Sequence, residues 1–351
     1  MPSQLRFSLV GGTGFIGRRL CRRIVAQGGE VSVLVRPSSE RRRITLPGVG
    51  FVVGDLETGA GLAEVVAGSD YVIHLGGLVK SRTAEGFRQC NEEGTRRLAE
   101  VLAARPEPPP LVVCSSLTAA GPSPYGRPRT EGDPEMPVSR YGRSKLAAER
   151  AARAYADRVP TTIVRPPAVY GPGDPAFLPS LLPMIRAGLV LKSGFGPRSY
   201  SLIHVDDLCT ALLAAATGGR RLAPGDEAVG LYTVSDGATH SWESLCGSVA
   251  HAFGYRRAPR VVPVPLAAVH MVAMAAEWAG RLRGTYPFLN RDKVSELGGA
   301  AWTCSTEKAR DELGFVAVVL GQREIVVLLA RVLAERHLKS AQDARGGKPE
   351  G

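Results

Sequence analysis

Val10-Gly11-Gly12-Thr13-Gly14-Phe15-Ile16-Gly17 decides the reading of this chain. A short apolar run (residues 5–10) leads into it, and a helical pattern (residues 16–27) leads out. Glycines at 11, 14 and 17 permit a tight turn and let backbone N–H groups approach a pyrophosphate at the positive end of the helix. Strand before and helix after is the setting in which such a loop, with Thr13, Phe15 and Ile16 between its glycines, binds a dinucleotide.

Outward from this turn, apolar runs bounded by turn residues predict further strands at 31–35, 50–53, 71–75, 111–115 and 161–165. Helical patterns at 62–67, 85–105 and 141–157 alternate with them. That succession predicts an α/β fold, a Rossmann-type doubly wound parallel sheet. Past Gly171 the pattern changes: residues 172–199 are rich in Pro and Gly, 201–216 read as strand plus helix, and 241–254 and 265–283 read as helices. The expected organisation is a dinucleotide-binding domain over 1–171, with 201–216 returning to it. A smaller, mainly helical substrate lobe follows over 172–338, and a polar, disordered tail over 339–351.

Composition bounds the function. The 351 residues are 44% apolar and 22% charged, which excludes a disordered or collagen-like chain. Aromatic residues are 6%, little material for base stacking, and no nucleic-acid module is recognisable. The net charge of +11 reads either as a solvated basic surface or as attraction to an anionic ligand such as a phosphorylated cofactor. Cysteines at 21, 90, 114, 209, 246 and 304 form no C-x-x-C pair and sit beside no histidine at ligand spacing. They are expected as buried thiols in a reducing, cytoplasmic compartment, without disulfides or a metal site. The chain starts directly with strand and glycine loop, so no secretory leader is expected. Residues 261–280 are apolar enough to weigh as a membrane span, yet contain Pro263, Pro265, His270 and Glu277. An amphipathic helix of the second lobe is the better reading, with peripheral membrane contact as the lesser one.

Tyr141-Gly-Arg-Ser-Lys145 is read either as a surface Tyr/Lys pair or as an acid/base pair. At i and i+4 of a helix, phenol and ammonium share a face. A free tyrosine titrates near ~10, so a neighbouring Lys⁺ and a cationic nicotinamide are needed to make Tyr141 a usable acid/base.

These motifs, with others in order along the chain, resemble the extended short-chain dehydrogenase/reductase family, also called NAD-dependent epimerase/dehydratases. The others are Gly54-Asp55-Leu56, His74-Leu75-Gly76-Gly77, Asn91-Glu-Glu-Gly-Thr95, Arg165-Pro-Pro-Ala-Val-Tyr-Gly-Pro-Gly173, His204-Val-Asp-Asp-Leu208 and Glu312-Leu-Gly-Phe315. Val10 stands where the family usually carries Thr. The resemblance spans about residues 5–335. It implies that Asp55 and Leu56 lie on the adenine side, and that Leu75, Gly76 and Gly77 line the cofactor. Backbone near Pro167–Val169 would face the nicotinamide. Cys114-Ser-Ser-Leu-Thr-Ala-Ala-Gly121, aligned on its glycine, makes Ser116 the hydroxyl that orients the substrate oxygen. Ser115 then ends the strand beside the cofactor. Lys145 would also hold the ribose hydroxyls.

Arg36, nineteen residues past Gly17, occupies the ribose-reading position where NAD-selective members carry an acid. A guanidinium cannot accept from a 2′-OH but pairs bidentately with a 2′-phosphate, so NADP(H) is favoured over NAD(H).

Three functions compete. The leading one is a dehydrogenase or ketoreductase with a Ser116-Tyr141-Lys145 site, acting on a secondary alcohol or ketone of a mainly apolar small molecule. A nucleotide-sugar 4-epimerase and a non-catalytic dinucleotide sensor are the alternatives. Leu117-Thr118 stands where dehydratases carry Asp-Glu, and Tyr200 where sugar-nucleotide members carry an arginine, although Arg198 is close enough to substitute. Val169, Phe177, Leu178 and Tyr200 suit a less polar ligand, in the direction of the 3β-hydroxysteroid dehydrogenase and dihydroflavonol-reductase branch. Thr118, Phe177, Tyr200 and His204 are the candidate substrate contacts. Helices 85–105 and 141–157 resemble the family's four-helix interface, implying a homodimer.

Overall fold

The computed structural model describes residues 4–42, 45–287 and 289–318. Six parallel strands, β1 (Arg6–Val10), β2 (Glu30–Val35), β3 (Val49–Val53), β4 (Tyr71–His74), β5 (Leu111–Cys114) and β6 (Thr161–Arg165), form most of a seven-stranded sheet. Its order is Leu231–Thr233, β6, β5, β4, β1, β2, β3. β5 and β6 are buried along their whole length, as a parallel sheet covered on both faces requires. Alternation of side chains sorts the apolar residues into two layers. Phe7, Leu9, Val33 and Ile73 pack with Leu20 and Ile24 of helix Phe15–Ala26 and with Leu208 and Leu212 of helix Val205–Gly218. Val72, Leu111, Val113 and Ile163 pack on the other face with Leu98 and Leu102 of helix Gly94–Ala103. The sheet reverses winding between β1 and β4, and ligands bind beyond the carboxyl ends of strands at such a point.

Two expectations change. The helix foreseen over 85–105 is broken into Ala84–Phe87, a π-turn Arg88–Glu93 and Gly94–Ala103. The wide turn accompanies Asn91, whose amide is tied to the Leu78 backbone and to Ser144. Leu231–Thr233, expected in the second lobe, is instead the sheet's edge strand, paired with β6 from Leu231↔Ile163 to Thr233↔Arg165. Three residues behind a glycine-containing turn are too short a run to show periodicity.

The second lobe is less purely helical than its composition suggests. Helices Phe177–Arg186, Trp242–Ala252, Leu266–Leu282 and Arg291–Leu297 are joined by a parallel pair, Leu189–Ser193 with Arg260–Val264, and by a small sheet of His240–Ser241, Ser199–Tyr200 and Ala301–Trp302. Its core is Leu178, Leu181, Ile185, Val190, Leu202, Leu245 and Val249. Glu312-Leu-Gly-Phe315 is a packing element: Gly314 ends helix Glu307–Leu313 in the left-handed region, and Phe315 buries itself in the first core. The end of the expected substrate lobe (319–338) and the tail (339–351) lie outside the described residues. All six cysteines are buried and free. Among the described residues no helix is long and apolar enough to cross a membrane, and no group of residues could hold a metal ion.

Candidate active site

The glycine turn and the end of β4 meet so closely that side chains are excluded. A Cβ on Gly11, whose φ is +92°, would stand 2.8 Å from the Gly76 backbone nitrogen, and one on Gly17 would collide with the Gly11 carbonyl. Leu75 donates its N–H to the Val10 carbonyl at 2.8 Å, which fixes the two strand ends together. No side chain caps helix Phe15–Ala26 at Gly14, so its first N–H groups remain available to an anion. The donor set and the side-chain-free cradle fit a dinucleotide pyrophosphate. Leu56 is buried and packs against Gly94, forming one wall. Asp55 accepts the Glu57 N–H at 2.7 Å, and Arg36 is exposed at the end of β2.

Helix Arg140–Arg153 brings the phenol and the ammonium to the same crevice. Ser139 caps it, accepting the Gly142 N–H at 2.9 Å. The buried Lys145 donates from Nζ to the Cys114 carbonyl at 2.8 Å, at the end of β5. Ser116, two residues on, accepts from the Thr118 hydroxyl at 2.9 Å and lies near enough to the Tyr141 phenol to draw its pKa down. Ser116, Tyr141 and Lys145 thus converge beside the β4–β5 edge of the dinucleotide crevice.

Burial, and then the negative charge of Glu296, hold the Tyr141 phenol above its ordinary value, while Ser116 acts the other way. The Lys145 ammonium is turned to the Cys114 carbonyl, and burial lowers its own pKa. A cationic nicotinamide would add a charge that favours the phenolate.

Ser115 points away from the site. Its hydroxyl donates to Glu149, which pairs with Arg165 at 2.8 and 2.5 Å; Arg165 also reaches Glu135 at 2.7 Å. Glu149 and Arg165 are fully buried, so this pair ties the Tyr141 helix to the end of β6. The Ser115 hydroxyl is thereby part of this anchor. Ser144 donates to the Tyr141 carbonyl at 2.7 Å and receives the Asn91 amide at 2.8 Å, holding the same helix from the other side.

Two carboxylates that sequence reasoning missed come from the second lobe. Asp292 accepts the backbone N–H groups of Arg140 and Tyr141, and Glu296 accepts the Ser139 hydroxyl at 2.8 Å. Both lie on helix Arg291–Leu297, more than 150 positions away, where local patterning carries no sign of the partnership. Glu149 had a weak signal, a charge four residues past Lys145 on an alanine-rich face.

The expected substrate contacts separate. Thr118 lies at the site beside Ser116. Phe177 is half-buried against the second-lobe core, and Tyr200 packs on Trp242 with ring centroids 5.6 Å apart. His204 is withdrawn as a contact: it has 0% exposure, and its Nδ1 accepts the Asp206 N–H as the cap of helix Val205–Gly218. Pro167 and Val169 are half-buried just beyond β6, and strand Ala168–Tyr170 pairs with Leu202–His204.

A parallel sheet with a glycine cradle at its switch point and a Tyr/Lys helix beside it defines a Rossmann-type dinucleotide enzyme. The NAD-dependent epimerase/dehydratase family model matches residues 8–229, and the chain belongs to that family, the extended short-chain dehydrogenases/reductases. It is an NAD(P)-dependent oxidoreductase of that type. Ceramide reductase of Caulobacter vibrioides (strain NA1000 / CB15N) is 32% identical over 85% of this chain and 86% of its own. The 4-hydroxy-2-methyl-3-oxo-4-farnesyl-3,4-dihydroquinoline-1-oxide ketoreductase of Stigmatella aurantiaca is 29% identical over 92% and 96%. The solved structure of MoeE5 with UDP-glucuronic acid and NAD matches in fold, with a TM-score of 0.71 at 23% identity over 94% of this chain and 99% of that one.

Proposed function

We propose that the chain interconverts a secondary alcohol and a ketone on a mainly apolar small molecule, with Ser116, Tyr141 and Lys145 as its working residues. The observation that carries this reading is the convergence of the three side chains at the dinucleotide crevice. The bound nicotinamide supplies or accepts the hydride. In reduction, Ser116 holds the carbonyl oxygen and Tyr141 delivers the proton to it; in oxidation Tyr141 takes the hydroxyl proton while Ser116 holds the same oxygen. Lys145, buried at the β5 end, orients the ribose.

Two observations favour an apolar substrate over a sugar nucleotide. Arg198, the nearby cation weighed as a replacement for the diphosphate-binding arginine, is committed to backbone carbonyls, Ser193 at 2.8 Å and Gly299 at 2.8 Å. The two relatives named above act, by their names, on a ceramide and on a farnesyl-bearing ring ketone. NADP(H) is the preferred cofactor on the strength of Arg36. Helices Gly94–Ala103 and Arg140–Arg153 pair two copies into a homodimer, which light scattering tests directly.

Tyr141→Phe keeps the ring and removes the proton. Turnover is expected to fall by about 10²–10⁴ with dinucleotide affinity unchanged. Stoichiometric change in nicotinamide absorbance with long-chain ketones supports a reductase; conversion of a sugar nucleotide with regenerated cofactor refutes it.

A further inference from the structure

Helix Leu266–Leu282 carries its polarity inside out. Its inward charge, Glu277, is buried and held by Arg291, whose backbone N–H and Nε reach it at 2.8 and 3.0 Å. Its outward face is apolar: Met271 is 61% exposed, Met274 49%, Trp278 65% and Leu282 71%. These positions follow each other at three- and four-residue steps, so they form one stripe along one side. A surface helix of a soluble protein places its charged residues there. A contiguous exposed apolar stripe marks an interaction surface.

The charge around the stripe identifies the partner. Arg281 and Arg283 are exposed at the helix end, and Arg256, Arg257 and Arg260 are exposed on the segment that leads into it through strand Arg260–Val264. Between residues 254 and 290 the sequence contains one acid, Glu277, and it faces inward. Pairing this helix with a second copy sets arginine ends against arginine ends in parallel register. That arrangement is repulsive. An anionic bilayer offers the complementary charge and an apolar interior together. Trp278 in the stripe is an interfacial residue, and 17 residues span only ~25 Å, enough to lie on a membrane and too little to cross it.

We infer that helix Leu266–Leu282 docks the enzyme on an anionic lipid surface, with Met271, Met274, Trp278 and Leu282 inserted and the flanking arginines at the headgroups. The same helix holds Arg291 through Glu277, and the adjacent Asp292 caps the helix of Tyr141. The docked face is thus mechanically linked to the catalytic lobe, a placement suited to a substrate that partitions into membranes. Only this last clause rests on the proposed reaction; vesicle binding is read without turnover, so the two fail separately.

The test is co-sedimentation of the full chain with vesicles of phosphatidylcholine alone and with phosphatidylglycerol added. Binding at least tenfold tighter to the anionic vesicles, weakened by salt, is expected, with a blue shift of tryptophan emission. Met274→Glu with Trp278→Glu is expected to weaken binding at least tenfold; both side chains are exposed, so the fold is retained by circular dichroism. Should that pair not fold, Arg281→Glu with Arg283→Glu is expected to give the same loss. Equal recovery with neutral, anionic or no vesicles overturns the inference. Undiminished binding by the folded variants also overturns it, assigning adsorption to the general positive charge. Absence of vesicle binding with amide protection over 271–282 overturns it too, in favour of a second copy if size depends on concentration, or of residues 319–351 of the same chain if it does not.

Discussion

Asp292 accepts the backbone N–H of Tyr141 at 3.2 Å, from a helix in the other lobe. The carboxylate also takes the Arg140 N–H at 2.5 Å, so the first turn of helix Arg140–Arg153 is completed from the second lobe. An anion at a helix N-terminus is stabilised by the helix dipole as well as by the hydrogen bonds. The phenol's position and the seating of the second lobe are therefore one structural variable.

Asp292→Ala removes that cap and is expected to cost about 0.5–2 kcal/mol of stability, with a larger proportional fall in kcat than in dinucleotide affinity. Asp292→Asn retains an acceptor and recovers most of both. Thermal unfolding alongside steady-state kinetics checks the pair. A full loss of stability with kcat unchanged contradicts the coupling.

Arg36→Ala is expected to weaken NADP(H) by about 1.5–3 kcal/mol, roughly 10- to 160-fold, and NAD(H) scarcely at all. Direct titration of both dinucleotides decides it. Equal losses, or a wild-type preference for NAD(H), remove Arg36 from the 2′-phosphate.

Arg165→Met leaves Glu149, which is 0% exposed, without its charge partner. Removing one member of a buried pair costs about 3–5 kcal/mol. Denaturant unfolding should show this, and Arg165→Met with Glu149→Leu should recover a large part of it. A double variant no more stable than the single one shows that packing, not charge, dominates there.

His74 is buried at the end of β4, where its Nε2 and the Thr95 hydroxyl lie 2.9 Å apart. Burial, with Lys145 adding a smaller push, lowers its pKa to about 3 from an unfolded value near 6.5. Between these values the unfolded chain binds a proton that the folded chain does not. Stability is thus fully present above about pH 6.5 and is lost as pH falls toward 3, by on the order of 1.4 kcal/mol per unit. His74→Asn should flatten the acid limb of an unfolding series. An unchanged slope would place the loss on other groups.

The sheet and its cradle were legible because they rest on local patterns: β6 occupies 161–165 as its apolar run indicates, and Gly11, Gly14 and Gly17 fall where a strand hands over to a helix. Tyr141 and Lys145 were legible for the same reason, four residues apart on one helix. What sequence could not show is contact between distant segments. Asp292 looks like any acid in the first turn of a short helix, and only the fold sets it against Tyr141. His204 misled because the motif around it is real; its imidazole caps a helix instead of facing a ligand. Arg198 was legible as a cation but not as one already surrounded by carbonyls.

The path of the backbone has a consequence for how this enzyme can be altered. The chain leaves the sheet domain after Tyr170 and returns at helix Val205–Gly218. It stays through edge strand Leu231–Thr233, departs again toward His240, and comes back for helix Glu307–Leu313. Neither lobe is a continuous stretch of sequence, so no single cut yields both as autonomous pieces, and a pocket cannot be exchanged between relatives as one cassette. Grafting a new specificity would mean replacing two separate inserts at once and matching four junctions. Substitution within the pocket is the more accessible route to a changed substrate.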